Sequence, residues 1–168
     1  WQMTESGFWL GLMTVADLLP VVFIGPVAGA IADRVNLLTM MKITQILAVI
    51  QSVALAALTF AGVMTPELLF LLVLTHGVIL SFNQPARLAL VPHLIHRENL
   101  SAAIGINSMT FNSARATGPM ISGLLIDGWG IAFAFVFNAI SYVWFIGTLF
   151  LLRLDNPRST KARTPARE

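Results

Sequence analysis

The sequence predicts an all-helical protein that crosses a membrane several times, and its composition, its apolar runs and the placement of its cations all predict this. Hydrophobic residues make up 57% of the 168 residues, and charged residues only 11%. An ordinary soluble domain carries roughly 25% charged residues. Five apolar runs reach the length of about 20 helical residues that a hydrocarbon core of about 30 Å requires. We therefore predict a polytopic membrane protein with five transmembrane helices.

The five predicted spans are long apolar stretches separated by short polar connectors. They cover residues of about 8–32, 43–63, 68–86, 100–126 and 131–152. A soluble helical bundle is the alternative, and it is disfavoured because the second, third and fifth spans contain no charged residue. Residues 153–168 read as a basic tail or linker. Residues 1–7 show neither an initiator Met nor the basic region of a signal peptide. We therefore expect an internal or truncated segment of a larger protein, with one more span upstream.

The cations segregate to alternate connectors. Nine of the ten Lys and Arg residues lie in three of them. These connectors are 33–42, 87–99 and 153–168. Short loops rich in Lys and Arg stay cytoplasmic, so the pattern predicts a multi-pass membrane protein with its basic loops and C-terminus inside. The basic balance suggests the lipid bilayer and its anionic headgroups as neighbours, and nothing indicates a nucleic-acid partner.

Two ionisable residues fall deep within predicted spans, Asp17 in the first and Arg115 in the fourth. Each costs about 2.5 to 3.5 kcal/mol at the bilayer centre, so each needs a partner or a water-filled cavity. We interpret them as lining a polar route, with Arg115 attracting an anionic group and Asp17 binding a proton or a cation. The alternative is a structural ion pair between the two helices.

Further polar side chains in the spans are candidates for the same route. His76 carries an imidazole, which exchanges protons near neutral pH and suits a proton carrier. Asn83, Asn107 and Asn112 are suited to hydrogen-bonding a substrate. Each of these residues also has a structural alternative, a hydrogen-bonded core imidazole or an amide that joins helices at about 0.6 kcal/mol apiece.

Glycines and prolines predict how the helices pack. Gly7, Gly11, Gly25 and Gly29 fall near one face of the first span, which indicates a close-packing surface. Pro85 lacks the N–H that Ser81 would need, so we expect it to kink or stop the third helix and the following residues to form a connection.

Signatures of an enzyme, a metal site or a cofactor site are not found in the sequence. It has no GxSxG elbow, no HExxH motif and no Walker loop. We therefore expect no enzymatic activity, no metal and no cofactor.

The segment GAIADRVNLLTMMK resembles the cytoplasmic loop signature of the major facilitator superfamily, Gly-x-x-x-Asp-Arg-x-Gly. Gly29, Asp33 and Arg34 match it, and the resemblance implies a gate at the inner end of the first span. Asn36 stands where the family prefers Gly, which fits if the backbone there is left-handed.

The fourth span is similar to the glycine-rich motif of exporters in that superfamily. Gly105, Gly118, Pro119 and Gly123 match it. Residues 82–127, which begin with FNQPAR and end with LLID, also resemble the branch that contains enterobactin exporters and transmembrane secretion effectors, and this resemblance implies a bacterial inner membrane. These matches imply helices 2–6 of a twelve-helix transporter, that is, a partial N-terminal six-helix bundle.

The resemblance implies proton-coupled export of a small molecule, of the drug or siderophore type, by alternating access. The partners it implies are a small-molecule substrate, protons and the missing C-terminal half of the same transporter. Two alternatives stay open: an importer of the same superfamily, and a membrane scaffold or sensor without transport activity.

Overall fold

The computed structural model describes residues 7–94 and 99–151. Within these ranges the chain is all-helical, which confirms the predicted fold class. The helices are α1 (Gly7–Ala32), α2 (Leu37–Phe60), α3 (Pro66–Leu94), α4 (Leu100–Trp129) and α5 (Ile131–Leu151). The basic tail predicted at 153–168 lies outside the described residues.

Four of the five helices, α1, α2, α3 and α5, are long and apolar enough to cross a membrane. The helix α4 has sufficient length, at 30 residues, but its many Ser, Asn and Thr residues make it more polar. Several of these side chains hydrogen-bond to the carbonyl four residues earlier on α4: Thr110 to Ile106, Asn112 to Ser108 and Thr117 to Ser113. This internal pairing lowers the cost of placing polar groups in lipid, so a fifth crossing stays a prediction.

The helices pack so that apolar side chains lie outside and several polar side chains lie inside. The helix α1 packs on α3, α3 and α5 both pack on α2, and α4 contacts α5 and α3. Buried polar residues are Thr44, Gln45, Gln51, Ser52 and Ser81. Large apolar side chains, among them Phe8, Phe23 and Trp144, are instead exposed. The apolar exterior differs from that of a soluble domain and matches a multi-pass protein surrounded by lipid.

The helix α2 begins earlier than its predicted span because Asn36 caps it. The Oδ1 of Asn36 accepts a hydrogen bond from the backbone N–H of Thr39 at 3.2 Å. Asn36 has φ −72° and ψ 114°, which is extended backbone. The left-handed backbone that would suit a glycine is therefore not found at Asn36, and the residue serves as an N-cap. Lys42, which the charge pattern placed in a connector, lies inside α2.

The helix α3 continues through Pro85 to Leu94, so the expectation that the proline begins a connecting segment is wrong. The residues beyond Pro85 are held by packing: Ala86 and Leu90 belong to the buried apolar cluster that also contains Met41 and Leu149. Burial of this face compensates for the hydrogen bond that the proline removes. As a result Arg87, predicted to start the next connector, lies on α3 itself.

The close approach between α1 and α3 uses a different glycine from the four on the face of α1. A Cβ added at Gly7, Gly11, Gly25 or Gly29 would meet nothing within 4 Å in the described part of the chain. A Cβ at Gly77 of α3 would instead lie 2.5 Å from the backbone oxygen of Asp17. The predicted packing face of α1 is thus not the one that contacts α3.

Candidate functional site

The helices α1 and α3 bring Asp17 and His76 together. The Oδ1 of Asp17 lies 2.8 Å from the Nδ1 of His76. Both side chains remain partly exposed, His76 at 33% and Asp17 at 36%. At this distance a carboxylate accepts a hydrogen bond from a protonated ring nitrogen, so the two side chains form a hydrogen-bonded pair.

Gly77 makes this pair possible because it lets the two helix backbones meet. A methyl group at Gly77 would lie 2.5 Å from the Asp17 oxygen, 3.0 Å from Cγ of Pro20 and 3.1 Å from the Ala16 oxygen. Only a residue without a side chain fits such an approach. The neighbouring His76 is therefore held against α1 at the level of Asp17.

One face of α3, beginning at His76, carries mostly polar side chains. His76, Leu80, Asn83 and Arg87 are spaced by four, three and four residues, which places them on one helical face. All four line a cavity of about 330 Å³ between α2, α3 and α5. The other lining residues come from the same three helices and are Thr44, Gln45, Ala48, Ile79, Ser141, Tyr142 and Phe145.

Hydrogen bonds between side chains brace the walls of this cavity. The Nδ2 of Asn83 donates to the Oγ1 of Thr44 at 2.9 Å, and Thr44 in turn donates to the backbone oxygen of Met41. Further along the bundle, the Nδ2 of Asn138 donates to the Oγ of Ser52 at 3.1 Å. Asn83 thus joins α3 to α2, which is the structural role considered for it, while it also lines the cavity.

Two buried polar atoms at this cavity have no hydrogen-bond partner within residues 7–94 and 99–151. They are the Oε1 of Gln45 and the Nε of Arg87. Gln45 is 7% exposed. Gln45 and Arg87 both line this cavity, and leaving such buried groups unpaired costs about 1–3 kcal/mol each.

A second cavity, of about 230 Å³, lies on the opposite side of Arg87 between α3 and α4. Its lining residues are Gln84, Arg87, Leu88, Asn107, Ser108, Phe111 and Asn112. The guanidinium carbon of Arg87 sits 5.3 Å from the centroid of the Phe111 ring. The structure therefore places Asn107 and Asn112 beside Arg87, whereas His76 and Asn83 line the first cavity.

Arg115 lies apart from this arrangement. It is exposed on α4 and makes no ion pair with Asp17, whose carboxylate is instead beside His76. The structural alternative of an Asp17–Arg115 pair is therefore not what the described residues show. The cation that lines the cavities is Arg87.

The residues of the first sequence motif lie at the end of α1 and in the turn after it, and those of the second motif lie within α4. Asp33 and Arg34 are exposed in the turn between α1 and α2, and the backbone N–H of Asp33 donates to the carbonyl of Gly29 at 3.1 Å. The motif residues of α4 lie inside that helix, and a Cβ at any of its three motif glycines would meet nothing within 4 Å in the described chain. The motif residues of α4 are Gly105, Gly118, Pro119 and Gly123.

Sequence reasoning missed Arg87, Gln45 and Gly77. Arg87 was assigned to a connector because Pro85 precedes it. The common helical face of His76, Asn83 and Arg87 would have indicated this site if α3 had been predicted to continue past Pro85. Gln45 and Gly77 had no distinguishing pattern in the sequence.

The fold and site define a class: a polytopic helical bundle with polar cavities and a membrane-embedded carboxylate–imidazole pair. The family model of the transmembrane secretion effectors, within the MFS-type transporters, matches residues 1–165. The chain belongs to this family. It is thereby placed among transporters, as the resemblance of its motifs to the major facilitator superfamily indicated.

Two curated relatives were found. The staphyloferrin A transporter of Staphylococcus aureus is 27% identical over 151 residues, which cover 89% of this chain and 38% of the relative. The uncharacterized MFS-type transporter YfiS of Bacillus subtilis is 29% identical over 164 residues, covering 98% of this chain and 38% of the relative. The chain thus spans about 38% of the length of each. No solved structure matches the chain.

Proposed function

We propose that this chain forms part of the N-terminal bundle of a proton-coupled secondary transporter that exports a small molecule by alternating access. The observation that carries the proposal is the 2.8 Å contact between Asp17 and His76, within two helices apolar enough to span a membrane. An ionisable pair at such a place is costly unless it serves a route for protons or ions. The family and its transporter relatives support the same class of function.

The pair supplies a mechanism for coupling. When the pair takes up a second proton, the carboxylate loses its charge or the imidazole gains one, and the electrostatic attraction between α1 and α3 changes. A conformational equilibrium shifts only when the ligand interacts differently with the two states. Proton binding at an interhelical contact meets this condition, because separating the helices would break the contact.

We further propose an orientation for the chain and a role for the rest of the transporter. The chain's five helices correspond to part of one bundle, and the C-terminal half of the same transporter completes the substrate route. The turn that contains Asp33 and Arg34 faces the cytoplasm of a bacterial cell and acts as a gate at the inner end of α1. Arg115, exposed on α4, faces the route and attracts anionic groups.

Everted membrane vesicles containing the full-length protein test the coupling. An imposed pH gradient should drive accumulation of ethidium or of iron-free enterobactin, the two probes. Asp17→Asn and His76→Gln should abolish gradient-driven accumulation and leave counterflow of the same probe intact, because counterflow needs no net proton movement. Thr14→Val is the matched control, since within the described residues the Thr14 hydroxyl on α1 bonds only to the carbonyl of Leu10. Normal gradient-driven accumulation in both variants would remove the pair from the mechanism, and accumulation only in right-side-out vesicles would make the protein an importer.

Exchanging the two residues separates a coupling pair from a purely structural pair. The double variant Asp17→His with His76→Asp retains a carboxylate–imidazole contact but moves the carboxylate to α3. A purely structural pair should tolerate the exchange in both thermal stability and activity. In a coupling pair the carboxylate must lie on α1 and the imidazole on α3. The double variant should then keep its thermal stability and lose gradient-driven accumulation.

A further inference from the structure

We propose that the cavity between α2, α3 and α5 binds a carboxylate that carries a neighbouring hydroxyl group, with Arg87 holding the carboxylate and Gln45 accepting from the hydroxyl. The inference deepens the proposed function, on which it rests for the identity of this ligand as a transported substrate. The binding site itself follows from the structure of α2 and α3. It lies beside the Asp17–His76 pair, whose imidazole lines the same cavity and to which the proposed function assigns the protons.

The charge of the lining residues selects an anion. Neither cavity is lined by an Asp or a Glu, and Arg87 lines both. The planar guanidinium of Arg87 matches a carboxylate with two parallel hydrogen bonds. Its contact with the face of Phe111 supports the group from the second cavity and leaves the Nε without a hydrogen-bond partner in the described chain.

The hydrogen-bonding capacity of the lining selects the second group of the ligand. The Oε1 of Gln45 is an acceptor that is buried, lines the cavity and has no donor within residues 7–94 and 99–151. A carboxylate alone offers no donor to it, whereas a hydroxyl next to the carboxylate does. A site with a buried acceptor discriminates strongly against an analogue that lacks the matching donor, because the acceptor is then left unpaired.

The size of the cavity suits a small molecule or one end of a larger one. Its volume of about 330 Å³ is at the lower end of the range for ligand sites, about 300–1,000 Å³. Ile79, Leu80 and Phe145 supply apolar wall next to the polar groups. A few polar groups on a mostly apolar wall are typical of a site that fixes the orientation of its ligand.

Calorimetric titration of the purified full-length protein tests the site with three probes: malate, succinate and malamide. Malate has the carboxylates and the hydroxyl, succinate lacks the hydroxyl, and malamide lacks the charges. We expect malate to bind at concentrations up to roughly 10 mM, and the other two to bind about tenfold more weakly or not at all. Equal binding of malate and malamide, or the absence of malate binding in this range, would overturn the proposal.

Variants assign the two roles. Arg87→Gln should weaken malate about tenfold or more, and Arg87→Lys should retain part of the affinity as a point charge. Gln45→Leu should remove the preference for malate over succinate and leave succinate unchanged. Lys42→Gln is the matched control, because it removes a cation that sits over the Phe150 ring, 4.4 Å from the centroid, and lines neither cavity. Unchanged malate binding in Arg87→Gln, with the variant monodisperse, would refute the site even if the pair at Asp17 still couples protons.

Discussion

The smallest feature on which the site depends is the missing side chain of Gly77. Because α1 and α3 meet there at backbone distance, the residue next to it can place its imidazole 2.8 Å from the carboxylate on the facing helix. A larger residue at this position would have to push the helices apart. The close contact and the Asp17–His76 hydrogen bond are therefore one structural unit.

Gly77→Ala should consequently destabilise the full-length protein and loosen the pair. The added methyl group cannot stay 2.5 Å from the Asp17 oxygen, and overpacking of this kind costs about 1–3 kcal/mol. Thermal unfolding in detergent should show a lower Tm. Gly11→Ala on α1 is the control, since a Cβ there meets nothing within 4 Å in the described chain and alanine favours the helix. Equal Tm values for the two variants would argue against a close contact at Gly77.

At the residue scale the sequence predicted which ionisable side chains lie in the membrane, but it did not predict which of them contact each other. It identified Asp17 and His76 as membrane-embedded ionisable groups, because charged groups are rare in apolar runs. It could not pair them, since their separation of 59 positions in the chain contains no information on which helices are neighbours. The same limit explains why Arg115 was the expected cation at the cavities and Arg87 is the one found there.

Among the elements, α3 departs most from expectation. Local reasoning from Pro85 predicts a break, yet tertiary packing of the residues that follow keeps the helix intact. The cost of the proline is local and fixed, whereas the gain from burying a helical face grows with every residue packed. Helix boundaries near prolines therefore depend on contacts that a single sequence does not display, while the caps and apolar periods that set the other helices are visible in it.

A pair of leucines beyond the proline tests this explanation. Leu90 is 3% exposed in the apolar cluster, whereas Leu88 on the other face of α3 is 59% exposed. Leu90→Ala should destabilise the protein by about 2–5 kcal/mol, the usual cost of a buried leucine, and Leu88→Ala should have little effect. The free energy of unfolding in a denaturant titration is the measurement. Similar small losses for both would mean that α3 does not continue as a packed helix past Pro85.

For the whole molecule, the apolar exterior sets the bundle within a membrane, while the number of crossings depends on α4. That helix has no buried residue in the described chain and several polar ones, and it is the one helix here that falls short of a membrane-spanning composition. Membership of the transporter family and the positions of the cations both favour a crossing. An N-terminal bundle that lacks it could not put Arg115 and the motif glycines of α4 at the level of the other spans.

Cysteine labelling decides the topology and has a clean background in this chain, which contains no cysteine. Single cysteines replace Val35 between α1 and α2, Val63 between α2 and α3, Ser101 at the start of α4 and Gly128 near its end, with the full-length protein otherwise made cysteine-free. All four positions are exposed. If α4 crosses and the basic turns are inside, an impermeant maleimide should label positions 63 and 128 in intact cells and positions 35 and 101 only after permeabilisation. Labelling of 101 and 128 from the same side would leave α4 on one surface of the membrane, and labelling of 35 from outside would reverse the orientation on which export is proposed.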